Sequence, residues 1–219
     1  YLAVHDTAVL AKKVVAAHYG STPKYSYWVG CSTGGRQGLL EAQRYPDDFD
    51  GYVIGAPVAD FTNVNLRGIW NAQAMAGFPA EKLNAVADSV FQKCDALDGV
   101  ADGLLEDPRR CTFDPLTDLP SLTEAERRAL KKVYDGPRDS SGRRIFGGMP
   151  VGAERGGWTR SIVGTPNIGL LYAESYMQHF GMQPPPGPSW SFRQFDFDRD
   201  PAKLAKTGAL ADAVNPDLN

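Results

Sequence analysis

The feature that most limits what this chain can fold into is a serine between two glycines, at residues 30–34, where two runs of different character meet. Residues 25–29 before it are aromatic and β-branched, which predicts a strand. Residues 35–44 after it predict a helix. A strand, a tight glycine turn and a helix around Gly-x-Ser-x-Gly are the setting of a nucleophile elbow. The sequence therefore predicts that Ser32 is a catalytic nucleophile.

Such an elbow assigns a role to each neighbour of the serine. We expect the Ser32 hydroxyl to stand exposed at the top of the sheet, with Gly30 and Gly34 leaving room for adjacent elements. The amide of Thr33, at the start of the helix, would point at a developing oxyanion. The alternative is a serine in an ordinary glycine turn.

Composition narrows the classes of protein. The chain has 219 residues, 42% of them hydrophobic and 22% charged, which is enough for one or two cores. A net charge of −3 argues against a nucleic-acid partner. No apolar run approaches the roughly 20 residues that span a bilayer, so we expect no membrane partner. The oligomeric state stays open.

The order of elements predicts an α/β fold. An amphipathic helix at residues 5–19 is ended by Gly20, and residues 51–56 read as a buried parallel strand. With the elbow, these runs form an α-β-α-β piece of a parallel sheet. Beyond Pro57 this alternation stops, and we expect an insertion over the edge of the sheet. Its predicted helices cover residues 66–76, 80–93, 123–134 and about 168–180.

A loop at residues 94–111 is dense in aspartate and glycine. Asp95, Asp98 and Asp102 offer carboxylates, and two glycines let backbone carbonyls turn inward. Hard oxygen ligands of this kind suit calcium, although the spacing is not that of an EF-hand. The alternative is a solvated turn. The chain has three cysteines, an odd number, which suggests one pair and one orphan.

Two stretches together resemble the tannase and feruloyl esterase family, which includes a bacterial hydrolase of mono(hydroxyethyl) terephthalate. The first covers residues 27–38 with 41–46, 49–51 and 55–57, and the second covers residues 94–104 with 107–108 and Cys111. The resemblance is strong over residues 5–115 and loose elsewhere. The closing residues 215–218 resemble the return of the chain from lid to hydrolase core.

The resemblance implies an α/β-hydrolase of which this chain is a fragment, truncated at both ends. Residues 1–59 would be part of the hydrolase core, residues 60–205 a lid domain with the calcium loop, and residues 206–219 the return into the core. Ser32 matches the nucleophile of a Ser-His-Asp triad and Thr33 supplies an oxyanion amide. The triad aspartate and histidine would lie beyond Asn219, which makes this chain alone a poor catalyst.

The resemblance also implies the cysteine pairing and the metal ligands. Cys31 would be the orphan, bonded in the whole protein to a cysteine next to the catalytic histidine. Cys94 and Cys111 would form a disulfide, which points to a secreted or periplasmic protein. A structural Ca²⁺ would be bound by the loop through three side chains and two backbone oxygens. Those ligands are Asp95, Asp98 and Asp102, with the carbonyls of Val100 and Leu104.

The remaining residues say less about the substrate. The three histidines (His5, His18 and His179) are interpreted as surface or packing residues, with His179 the least implausible base. Aromatic and cationic side chains of the predicted lid are candidates to contact a phenolic ring. These are Arg67, Trp70, Trp158, Phe180, Phe192 and Phe195. The alternative for each of them is a place in the core or on the surface.

The sequence therefore predicts a serine carboxylesterase that acts on small aromatic esters, hydroxycinnamoyl or galloyl, through an acyl-enzyme. One alternative is a non-catalytic, calcium-stabilised binding or structural domain that retains the elbow. A thioesterase or peptidase on the same fold is a second alternative.

Overall fold

A computed structural model of the chain describes residues 2–216 and contains two compact units. One comprises residues up to Thr62 together with those from Gly208 onward, and the other runs from Asn63 to Thr207. Among the described residues, no helix combines the length and the apolar character needed to cross a bilayer.

The first unit contains a two-stranded parallel sheet. Strand β1 is Tyr27–Cys31 and strand β2 is Gly51–Gly55, paired so that Tyr27 lies opposite Gly51 and Cys31 opposite Gly55. The two predicted strands are confirmed, although β1 begins two residues later than predicted and continues through Gly30 and Cys31, ending just before the serine. The α/β class holds for this small sheet, while most of the chain is helical.

Two helices accompany the sheet. Helix α1 is Leu2–Tyr19, and the next residue, Gly20, ends it with a φ of 77°. Helix α2 is Thr33–Arg44 and starts directly after the serine. A short 3₁₀ turn, Pro46–Asp48, then leads into β2.

Burial in this unit differs from the sequence expectation. In α1 only Ala8 is buried. Leu10 and Val14, which belong to the predicted apolar face, are exposed to solvent. Strand β2, predicted to be buried, exposes Val53 by 63%. Because the sheet has only two strands, its outer face and edges lack neighbours in the described chain. Apolar residues therefore do not guarantee burial here.

The chain returns to the first unit after a long excursion. The guanidinium of Arg36 donates to the carbonyl of Ala211 at 2.9 Å, and the Thr62 amide donates to the Asp212 carboxylate at 2.8 Å. The Ala213 amide bonds to the Ala59 carbonyl at 2.8 Å. Of the predicted return segment, residues 217–219 lie outside the described residues.

The second unit is helical. Its helices, with those shared at its boundaries, are α3 Phe61–Ala74, α4 Leu83–Cys94, α5 Pro115–Asp118, α6 Glu124–Asp135, α7 Thr159–Ser161, α8 Ile168–Tyr176 and α9 Ala205–Ala211. Helix α6 begins with a capping box, in which Thr123 and Glu126 satisfy each other's backbone amides.

The core of this unit forms between α4, α6 and the segment around α7. Trp158 lies fully buried there, together with an aliphatic set from the neighbouring helices. That set includes Leu83, Val86, Leu122, Leu130, Val133 and Ile162. A disulfide joins Cys94, the last residue of α4, to Cys111, which is the pair predicted from the sequence.

Candidate active site

Ser32 occupies a backbone conformation that side chains other than glycine rarely adopt. Its φ is 55° and its ψ is −117°, and it stands exposed between the last residue of β1 and the first residue of α2. Its amide donates to the Gly55 carbonyl and its own carbonyl accepts from the Arg36 amide, both at 3.0 Å. A non-glycine residue held in such a conformation costs about 1–3 kcal/mol, and such strain gathers at functional sites.

Two glycines allow close packing at the turn, and only one of them was among the two predicted. A Cβ on Gly30 would lie 2.4 Å from the Gly34 carbonyl oxygen, so this glycine is required as expected. A Cβ on Gly34 would meet nothing within 4 Å, whereas one on Gly35 would lie 2.6 Å from the Gly55 carbonyl oxygen. The expectation for Gly34 was wrong because α2 turns the next residue, not Gly34, toward the strands.

The amide of Thr33 is available for a ligand. As the first residue of α2, Thr33 has no helical carbonyl one turn back to which its amide could donate. The helix dipole adds a partial positive charge at the same place. The structure thus brings together the two residues that the sequence assigned to nucleophile and oxyanion donor.

The histidines have other neighbours. Within residues 2–216, no histidine forms a hydrogen bond with Ser32. His5 Nδ1 lies 2.6 Å from Asp48 Oδ2, and His18 is exposed and packs edge-on against Tyr19. His179 is exposed in a π-helical turn, Met177–Gly181, of the second unit.

Cys31, immediately before the nucleophile candidate, is a free and exposed cysteine. Its sulfur lies near the end of β2, where a Cβ on Gly55 would be 3.5 Å from it. The thiol is therefore accessible next to the elbow, and its predicted partner stays a prediction.

The acidic loop of the second unit is folded by its own aspartates. The Asp95 carboxylate accepts a hydrogen bond from the Gly103 amide at 3.0 Å. Asp98 and Asp102 each accept one from the amide two residues later, at 3.0 Å and 3.1 Å. Two glycines in the left-handed region, Gly99 and Gly103, allow these turns. In the described chain, none of the three carboxylates forms an ion pair. Three unpaired carboxylates in one short loop fit a hard cation.

Most of the residues suggested for substrate contact serve another purpose. Trp158, Phe192 and Phe195 are buried in the second unit, so that interpretation was wrong for them. Trp70 donates its indole N–H to the Lys132 carbonyl at 2.8 Å. The guanidinium of Arg67 lies over the Phe146 ring at 5.3 Å, and Phe180 alone of these aromatics is largely exposed.

A buried polar cluster in the first unit was missed by sequence reasoning. Glu41 of α2 is 0% exposed and Asp48 is 8% exposed, and their carboxylates lie within 4.8 Å of each other and of the His5 ring nitrogen. Burial, together with the nearby Asp48 carboxylate, raises the pKa of Glu41 to about 7. Gly35, Gly38 and Glu41 recur every three residues on the buried face of α2, and this spacing was the available signal.

Comparisons with known proteins agree with one another. A family model described as "Tannase and feruloyl esterase" matches residues 1–180. A protein of Arthroderma benhamiae named "Probable feruloyl esterase" is 34% identical over 194 residues, covering 81% of this chain and 36% of the relative. The mono(2-hydroxyethyl) terephthalate hydrolase of Piscinibacter sakaiensis is 28% identical over 251 residues, covering 90% of this chain and 42% of that protein.

Among solved structures, feruloyl esterase B from Aspergillus oryzae matches with a TM-score of 0.84 and 27% identity. The match covers 99% of this chain and 45% of the esterase. The chain thus spans less than half the length of the relatives that it matches.

Proposed function

Because this chain belongs to the tannase and feruloyl esterase family, we propose that it carries the nucleophile of a serine carboxylesterase that cleaves small aromatic esters. The observation that carries the proposal is the conformation of Ser32. An exposed serine at a φ of 55°, between the end of a strand and the start of a helix, has the geometry of a nucleophile elbow.

In the proposed reaction, Ser32 Oγ attacks the ester carbonyl carbon and loses its proton to a histidine base. The carbonyl oxygen, now negative, is stabilised by the Thr33 amide at the positive end of α2. The alcohol leaves with the proton, and water then attacks the acyl-enzyme to release the aromatic acid and regenerate the serine.

The base and its aspartate are proposed to lie in sequence beyond Asn219. Support comes from the chain order Ser, Asp, His of this fold class and from the histidines of residues 2–216, which have other neighbours. We further propose that Cys31 pairs with a cysteine beside that histidine, which would tie base to nucleophile. On this view the chain alone hydrolyses esters poorly, because losing the base costs several orders of magnitude.

The second unit is proposed to act as a lid, with a structural calcium ion in its acidic loop. Asp95, Asp98 and Asp102 would hold the ion with the carbonyls of Val100 and Leu104. The ion would supply positive charge among the carboxylates of one exposed loop. No step of the reaction passes through it.

The substrate class is proposed from the relatives, two of which are named as feruloyl esterases. Hydroxycinnamoyl and galloyl esters are the first substrates to assay, with thioesters and peptides as the contrast. A secreted or periplasmic location is proposed from the Cys94–Cys111 disulfide, since such bonds persist in oxidising compartments.

The test uses a fluorophosphonate, which reacts with an activated serine. The protein is expressed with the gene sequence downstream of Asn219 included, and the modified residue is located by peptide mass spectrometry. Modification of Ser32 supports the proposal. A protein with no modified serine would favour the non-catalytic binding domain instead, and modification elsewhere would contradict the assignment of Ser32.

A further inference from the structure

The end of α2 that lies far from Ser32 carries a buried carboxylate without a donor. Glu41 is 0% exposed, and neither of its carboxylate oxygens accepts a hydrogen bond from any described residue. A buried, unpaired negative charge is costly, so such a group either takes up a proton or acquires a positive partner.

Among the described residues, the positive groups near Glu41 are already engaged with Asp48. His5 Nδ1 lies 2.6 Å from the Asp48 carboxylate, and Lys12 Nζ donates to the Asp48 backbone carbonyl at 2.5 Å, both from α1. The Tyr45 ring stacks on the His5 ring at 3.9 Å, and the buried Tyr52 hydroxyl of β2 has no partner in the described chain. A proton on Glu41, donated to Asp48, would satisfy the two carboxylates together.

A metal ion is the other way to neutralise this cluster, and one distance argues against it. Two ligands of a tetrahedral zinc, each about 2 Å from the ion, lie about 3.3 Å apart. His5 Nδ1 and Asp48 Oδ2 are only 2.6 Å apart, which is the length of a direct hydrogen bond.

The cluster is mechanically connected to the elbow through α2. Gly35, in the first turn, meets the Gly55 carbonyl so closely that a Cβ would stand 2.6 Å from it. Glu41 lies six residues later on the same buried face, where it meets the turn before β2. The helix is thus fixed near both ends, and its start carries the Thr33 amide and adjoins Ser32.

We propose that Glu41, in its protonated form, is a positioning residue for the Ser32 elbow: its hydrogen bond to Asp48 holds α2, and with it the Thr33 amide, in place. This inference rests on the proposed esterase function. Because the working form of Glu41 is neutral, glutamine is the conservative replacement, since its amide can donate to Asp48 in the same way. Alanine leaves Asp48 without that donor and opens a void.

The first test needs no activity. Hydrogen exchange is measured at pH 6 on the 219-residue chain for the amides of Ser32 and Arg36, which flank the elbow. Glu41→Ala is expected to speed exchange at both amides by about tenfold relative to the Ala213 amide, which bonds to the Ala59 carbonyl in the same unit. Glu41→Gln and the control Glu124→Gln, an exposed glutamate, are expected to match the parent.

The second test uses the protein extended past Asn219 and a hydroxycinnamoyl ester. Glu41→Ala is expected to lower kcat by about tenfold at unchanged KM, because a misplaced oxyanion donor weakens transition-state binding only. At pH 6, Glu41→Gln is expected to have the same kcat as the parent. If the kcat of the parent falls above pH 7, that of Glu41→Gln is expected to stay constant. A structural role alone would not predict that change of pH profile.

Three results would overturn the inference. One is unchanged exchange and kcat in Glu41→Ala, and another is equal loss in Glu41→Gln and Glu41→Ala. The third is slower exchange at Ser32 and Arg36 when zinc is added to chelator-treated chain, which would make the cluster a metal site. If Glu41→Ala does not fold, Glu41→Gln decides through its exchange rates and pH profile. Absence of fluorophosphonate label on parental Ser32 is a failure of the proposed function, and the exchange result is read separately from it.

Discussion

The amide of Ser32 donates to the carbonyl oxygen of Gly55 over 3.0 Å, so the residue that follows β1 is held by the residue that ends β2. A Cβ placed on Gly35 would lie only 2.6 Å from the same carbonyl oxygen. One backbone oxygen therefore fixes both the strained serine and the closeness of the helix behind it.

Gly35→Ala is expected to destabilise the first unit by about 1–3 kcal/mol, because overpacking forces the helix and strand apart. Gly34→Ala is the matched control, since its Cβ would meet nothing within 4 Å. Alanine is the better helix former by up to about 1 kcal/mol, so the control is expected to be neutral or stabilising. Urea unfolding followed by far-UV circular dichroism measures both variants. Equal stability of the two would show that α2 does not approach β2 this closely.

Ser32→Gly is expected to stabilise the chain by up to about 1 kcal/mol while removing the nucleophile, because glycine adopts a positive φ without strain. Ser32→Ala removes the same hydroxyl but keeps the Cβ, so its stability is expected to stay near that of the parent. Chemical denaturation of the three proteins gives the comparison. A destabilised Ser32→Gly would mean that the backbone at residue 32 is not strained.

Loss of the disulfide is expected to cost about 3 kcal/mol, because the bond closes a loop in the unfolded chain. The variant carries both Cys94→Ala and Cys111→Ala, and the bond that it lacks lies in the second unit. Cys31→Ala serves as the control, since that thiol is free and exposed. Thermal unfolding of the two variants should differ clearly. A similar shift of Tm in both would contradict a structural role for the bond.

The stability of the first unit is expected to fall as pH rises from about 4.5 to about 7. Glu41 has a pKa near 7 in the folded chain against an ordinary value of 4.5, so between these values the folded state holds a proton that the unfolded state has released. The loss amounts to as much as about 3 kcal/mol. Urea titrations at pH 5, 6, 7 and 8 test it. Glu41→Gln should flatten the pH dependence of stability. A parent protein whose stability rises over this pH range would contradict the predicted fall.

Calcium is expected to raise the Tm of the chain, and chelation is expected to lower it, because the ion neutralises the loop carboxylates. Asp98→Asn should abolish most of the shift. Glu106→Gln, a change at an exposed residue of the same loop, should retain it. Calorimetric titration with CaCl₂ on all three proteins provides the affinity. Equal binding by Asp98→Asn would remove that residue from the ligand set.

The local pattern around the elbow was predictable because each residue there obeys a short-range rule. Glycines and aromatic and β-branched residues specify a strand, a turn and a helix there without reference to distant parts of the chain. The resemblance to the family similarly predicted the bond between Cys94 and Cys111.

Long-range packing was not predictable in the same way. Whether Gly34 or Gly35 faces the strands depends on the rotation of α2, which the motif does not specify. Trp158 and Phe195 read equally well as ligand contacts or as core, and only the assembled second unit decides for the core. Glu41 was overlooked because the cluster that surrounds it includes His5 of α1, which is distant in sequence from it.

The most direct test of the central claim is the site of fluorophosphonate modification in the protein that includes the sequence downstream of Asn219. The account predicts a single adduct on the peptide containing Ser32, abolished in Ser32→Ala and retained in Ser26→Ala, a change at another serine of the first unit. An adduct on any other residue, or unchanged labelling of Ser32→Ala, would contradict the assignment of Ser32 as the nucleophile.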